Sequence, residues 1–171
     1  MSLTNTTSMI KKTALLAGFG LTSLLTACAS HGPSAPLTQE NLSGSWYGQS
    51  EENDGTTLIW VNHRSTEGKF SLTFRKCRDT TPVFFQLKEG HWVEKGSSYI
   101  TTTTQLSDEN QTWQPATPNR LYVEKYDVQY LEGNELHYSN SDESFVAYKV
   151  DDSYQLTCGQ PPAGTPFAKG A

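Results

Sequence analysis

Three cysteines, four histidines and a few paired carboxylates are the side chains of this 171-residue chain whose types could do chemistry. Cys28, Cys77 and Cys158 make an odd number, so at least one lies outside any intramolecular disulfide. No Cys-x-x-Cys spacing or basic helix start accompanies them, and a reactive redox thiol needs a feature of that kind. His63, His91 and His137 fall on or near separate predicted strands, while His31 falls in a small-residue stretch. Imidazoles from different strands can converge on zinc. Without a fixed ligand spacing, the simpler reading is three independent strand-end histidines, and no metal is expected. Glu51-Glu52, Asp108-Glu109 and Asp151-Asp152 sit in turn-forming sequence and lack the regular ligand pattern of a calcium loop. Nor is there a Gly-x-Ser-x-Gly elbow, a His-Glu-x-x-His pair or a phosphate-cradling glycine loop. The expectation is a protein without catalytic residues or cofactor. A substrate-binding barrel with an unmarked acid/base pair is the alternative left open.

Charge narrows the partners. Thirteen basic against 18 acidic side chains give −5, and a generic nucleic-acid binder needs a concentrated basic surface instead, so no nucleic acid is expected. The start of the chain has a different character. Residues 1–12 hold no acidic residue and end in Lys11-Lys12, and residues 13–27 are uncharged and largely apolar. A basic start, a short apolar run and small residues before a break describe a secretory signal peptide over residues 1–27, with Met9 as an alternative start. The run is too short to span a bilayer comfortably as a helix.

That run ends in Leu25-Thr26-Ala27-Cys28, which resembles the bacterial lipobox. The resemblance covers the first 28 residues. It implies an envelope lipoprotein whose Cys28 is acylated through sulfur, becomes the first residue and carries a further chain such as palmitate on its amine. Several acyl chains anchor firmly where one holds only marginally. Ala29 rather than Asp follows the cysteine, which in the enterobacterial pattern implies the outer membrane, with either face open. The competing reading is an ordinary secretory signal cut near Ala27 or Ala29, leaving a free thiol. Loss of Lys11 and Lys12 with the signal would move the formal charge from −5 to −7.

Residues 28–39 are small, Pro-containing and aperiodic, and read as a flexible tether. Residues 159–171 are Pro-rich and read as a loose tail. Between them, residues 40–158 alternate with a period of two. Strands are expected over 45–49, 57–62, 69–76, 83–88, 91–94, 98–106, 121–131, 135–139 and 144–150, with Glu89-Gly90 as a turn and 107–119 as an irregular excursion. Phe70, Leu72 and Phe74 face one way and Ser71, Thr73 and Arg75 the other, the mark of a half-buried antiparallel strand. About nine short strands separated by turn signals predict an all-β fold, either an antiparallel barrel or a closed sandwich.

If Cys28 carries lipid, Cys77 and Cys158 remain as an even pair in an oxidising compartment, and a structural disulfide is expected. A reactive thiol pair is the alternative. Gly44-Ser45-Trp46-Tyr47-Gly48 resembles the Gly-x-Trp opening of lipocalin and calycin barrels, and the likeness in layout spans about 44–150. It implies an antiparallel up-and-down barrel of about eight or nine strands, in which Trp46 closes the barrel bottom against a basic side chain of a late strand, here Lys149 where lipocalins usually have Arg. A full lipocalin has a helix after its barrel, whereas this chain has a Pro-rich tail. A generic β-sandwich with a core tryptophan beside a turn glycine is the competing architecture.

Two functions follow. In the first, the barrel binds a small apolar or amphipathic ligand in a pocket walled by Trp60, Phe70, Phe74, Phe85, Tyr99 and Tyr122. In the second, a solid barrel is the scaffold of a periplasmic inhibitor or envelope assembly factor, and Trp113 in the excursion anchors a protein partner.

Overall fold

The computed structural model describes residues 36–114 and 122–167. The segment read as a signal peptide (1–27), Cys28 and the part of the expected tether up to residue 35 lie outside the described residues, as do 115–121 in the excursion and 168–171 in the tail.

A four-residue helix, α1 (Gln39–Leu42), precedes nine strands: β1 (Gly44–Glu51), β2 (Thr57–Arg64), β3 (Lys69–Arg78), β4 (Thr81–Lys95), β5 (Ser98–Ser107), β6 (Thr112–Trp113), β7 (Val123–Glu132), β8 (Glu135–Ser139) and β9 (Ser144–Val150). Every pairing is antiparallel, and sequential neighbours pair from β1 through β5 and from β7 through β9. β5 also pairs with β7, and β9 returns to β1 with Trp46 opposite Lys149, so eight strands close on themselves. β6 adds a short extra pairing on the end of β5, Leu106 opposite Trp113. The fold is all-β, as the alternation predicts, and of the two architectures left open it is the closed up-and-down barrel. Closure leaves the barrel strands without the free edges that invite intermolecular pairing.

The period of two decides what lies inside. Trp46, Trp60, Phe70, Leu72, Trp92, Tyr99, Tyr126, Val128, Leu136, Tyr138 and Ala147 form one buried cluster along the axis. Leu37 and Leu42 join it, so the folded body begins before residue 40. Thr38 caps α1 reciprocally: its Oγ1 accepts from the Asn41 N–H at 3.2 Å, and its own N–H donates to Asn41 Oδ1 at 2.9 Å. The helix plugs the end of the barrel where β2–β3, β4–β5 and β7–β8 turn. The β1–β2, β3–β4 and β8–β9 turns sit at the opposite end.

One expected turn is absent. Glu89-Gly90 lies inside the continuous 15-residue β4, at a register shift against β5. Gly90 is there for close approach: a Cβ would stand 2.0 Å from the Thr102 carbonyl oxygen. A bulge can use the same Glu-Gly composition as a turn, and only the partner strand distinguishes them.

The chain leaves β9 along the outer wall, where Cys77 and Cys158 form a disulfide with Cα atoms 5.7 Å apart. Around it Tyr47 and Ile59 form a second small core, with Val61, Val150, Tyr154, Leu156 and Phe167 packed against it. Phe167 meets Tyr47 and Tyr148 edge-on, so the described part of the Pro-rich tail, up to residue 167, is packed rather than loose. Its apolar side chains outweigh the absence of regular backbone hydrogen bonding.

Candidate functional site

The barrel interior has two layers. At the plugged end, Arg64 on β2 is 1% exposed, and its Nε donates to the Leu42 carbonyl at 2.9 Å. Trp46 Nε1 donates to the same carbonyl at 3.0 Å, so one free helix-end acceptor is satisfied twice. The guanidinium carbon lies 6.0, 5.7 and 4.6 Å from the ring centroids of Trp46, Trp92 and Tyr99. Aromatic faces thus surround a buried cation that has no carboxylate partner among the described residues.

Above Tyr99, toward the opposite end, lies a cavity of about 160 Å³. Its walls are Leu58, Trp60, Leu72, Phe74, Tyr126, Tyr138 and Phe145; Asn62 and Tyr99 also line it, with Glu124, Asn140 and Glu143. Gly48 on β1 makes room for one wall, because a Cβ there would meet Trp60 Cζ2 at 2.2 Å. Trp60 Nε1 donates to the Tyr138 hydroxyl at 3.2 Å, and Tyr138 stacks on Phe145 at 5.1 Å between centroids. The Lys88 ammonium pairs with Glu124 at 3.3 Å and lies 5.6 Å from the Phe74 ring.

Beside this chamber Asn62 Oδ1 is buried without a hydrogen-bond partner among the described residues, while the Tyr99 hydroxyl is buried next to the Arg64 guanidinium and the Tyr138 hydroxyl. Most buried polar groups in proteins are paired, so Asn62 is an exception. Burial is the main cause raising the phenol pKa of Tyr99 well above its usual value, with nearby Tyr138 adding to it and the Arg64 charge opposing. Tyr126 and Tyr138 are raised for the same first reason. All three side chains stay protonated and can donate hydrogen bonds at neutral pH.

Of the expected pocket residues, Trp60, Phe74 and Tyr99 line the chamber. Phe70 points inward but is buried in the axial core without lining it. Phe85 pairs with Arg75 on the outer face, one step from inward-facing Gln86, and its ring lies 5.4 Å from the Arg75 guanidinium. Tyr122 lies before β7, and its carbonyl accepts from the Thr103 N–H at 2.8 Å. The Lys149 ammonium is 5.5 Å from the Trp46 ring, but the basic group buried in the barrel bottom is Arg64, which sequence reasoning missed. Tyr126, Tyr138 and Phe145 were missed too. Their signal was alternation: Tyr126 shares a face with Glu124 and Val128, Tyr138 with Leu136, and Phe145 with Ala147. Trp113 is half-buried on β6.

The histidines do not converge. Among the described residues no group of three His, Cys, Asp or Glu side chains could hold a metal ion. Ser45, His63 and Asp152 do meet on the outer wall: Ser45 Oγ donates to Asp152 Oδ1 at 2.9 Å and lies 2.9 Å from His63 Nδ1. His63 Nδ1 is itself 3.6 Å from Asp152, so both neighbours share one ring nitrogen. A Ser-His-Asp relay needs the two opposite nitrogens, and this cluster instead ties the segment after β9 to the wall. No protein-family model matches the chain, and a comparison with curated proteins gives no match.

Proposed function

We propose that this chain is an exported envelope lipoprotein, anchored through Cys28, whose barrel binds a small apolar or amphipathic molecule without transforming it. The observation that supports binding is the chamber: a partly enclosed space of about 160 Å³ with aromatic walls and a few polar lining residues, Asn62 and Asn140 among them. Ligand sites are concave, mostly apolar, and carry a few placed polar groups of this kind. The anchor rests on Leu25-Thr26-Ala27-Cys28 alone.

Trp60 forms part of the wall and supplies the assay. Titration with small apolar and amphipathic molecules should give a saturable change in tryptophan fluorescence at one ligand per chain. Native mass spectrometry of protein purified from its host should show the same stoichiometry. Protein that is always ligand-free, together with no saturable change for any molecule tried, would overturn the binding reading. For the anchor, labelled palmitate should be incorporated by the wild type and not by Cys28→Ala. Equal labelling of both would remove it.

A further inference from the structure

We infer that a groove on the outer wall, separate from the chamber, binds a small monocarboxylate with an apolar body, its carboxylate held by Arg75. Val61, Thr73, Arg75 and Phe85 form the barrel side of this groove, and Tyr154 and Leu156 of the segment after β9 form the other. The groove has a volume of about 400 Å³, and Ser45, His63, Ser71 and Asp152 also line it.

Strand register fixes the order of the side chains. Ser71, Thr73 and Arg75 share the outer face of β3, since alternate residues of a strand point the same way. His63 pairs with Ser71, Val61 with Thr73, and Phe85 with Arg75. At roughly 3.3 Å per residue, Ser71 and Arg75 stand about 13 Å apart along the strand. The Ser45–His63–Asp152 cluster therefore marks one end of the groove and the guanidinium the other.

Arg75 selects the ligand. Neighbouring strand cations have carboxylates of their own: Lys76 meets Glu52 at 3.5 Å and Lys88 meets Glu124 at 3.3 Å. Among the described residues Arg75 has neither a salt bridge nor a hydrogen-bond acceptor. Its guanidinium carbon lies 5.4 Å from the Phe85 ring centroid, a contact that steadies the group without using its N–H donors. Nε is closed off and unbonded, so the two terminal nitrogens are the ones left to meet a ligand. Two parallel N–H donors match the two oxygens of a carboxylate.

The far end limits the charge. Asp152 stands there, 3.6 Å from His63 Nδ1, so a second carboxylate reaching along the groove would approach a like charge. One unpaired cation at one end and a carboxylate at the other favour a single negative charge. Between them Val61, Leu156 and the Phe85 ring offer apolar surface for the body of the molecule.

Calorimetric titration of the full-length protein with 3-phenylpropionate, 3-phenylpropionamide and phenylsuccinate tests this, with NMR shifts locating the site. The first should bind at one per chain, at least about tenfold tighter than the uncharged amide or the dicarboxylate, as a charge-assisted hydrogen bond implies. Arg75→Gln should bring it down to the level of the amide, and Arg75→Lys, which keeps the charge without the fork, should weaken it about three- to tenfold. Both variants should keep the wild-type melting temperature. Shifts should fall on Thr73, Arg75 and residues 154–156 and spare the Trp60 indole. Equal binding of acid and amide, tighter binding of the dicarboxylate, or unchanged binding by Arg75→Gln would each overturn the inference. Shifts confined to Trp60 would overturn it in favour of the chamber. If none of the three binds, the groove is not this site, and the chamber reading stands or falls on its own fluorescence panel.

Discussion

The guanidinium carbon of Arg64 sits 4.6 Å from the centroid of the Tyr99 ring, and this contact separates the barrel's plug from its chamber. Below it are α1, Trp46 and Trp92; above it is the space walled by Trp60, Phe74 and Phe145. The buried charge is held by three ring faces and one carbonyl in place of a carboxylate. Arg64→Ala should therefore cost about 3 kcal/mol, through a cavity and lost cation–π contact. Arg64→Met keeps the volume and removes the need to desolvate a charge, so it should fall within about 1 kcal/mol of wild type. Urea unfolding separates the two, and equal losses would show that the charge, not the volume, holds the plug.

The Cys77–Cys158 bridge joins β3 to the segment after β9 across 81 positions. By the chain-entropy estimate, closing a loop of that length is worth about 4.5 kcal/mol. The Cys77→Ala/Cys158→Ala double variant should lose about that much and loosen Phe167 from Tyr47 and Tyr148. Denaturant midpoints, with hydrogen exchange on residues 151–167, check both parts.

Gly48 and Gly90 make room in different ways. Gly48→Ala would press on the Trp60 indole and Gly90→Ala on the Thr102 backbone. An indole can shift and a strand carbonyl cannot without breaking its ladder. Gly48→Ala should cost about 1–3 kcal/mol with a change in tryptophan emission, and Gly90→Ala more. Thermal unfolding gives the order, and the reverse order would contradict the bulge assignment.

Alkaline pH should unfold the protein cooperatively. Burial raises the phenol pKa of Tyr47, Tyr99, Tyr126 and Tyr138 above the ordinary 10.0. Above pH 10 the unfolded chain releases these protons while the folded chain keeps them, so the native state binds more protons and stability falls as pH rises. Below pH 10 both states are protonated and the contribution is fully present. Absorbance at 295 nm should show a late tyrosine phase that coincides with loss of circular dichroism. Complete ionisation of all eight tyrosines in folded protein would contradict their placement.

Period-two alternation was enough, from sequence alone, to determine the all-β class, antiparallel pairing and most strand positions, since it is a local property of each strand. The even cysteine pair left after Cys28 was likewise legible as a disulfide. Other features depended on which strands became neighbours. Gly90 reads as a turn until β5 is seen passing close to it, and Phe85 reads as a wall residue until its register with Arg75 puts it outside. Arg64 looks like a strand-end surface cation in sequence. It is buried because closing the barrel brings Trp46, Trp92 and Tyr99, from three other strands, around it. The chamber arises in the same way: its walls come from six strands, and no local pattern fixes how much space closure leaves between them.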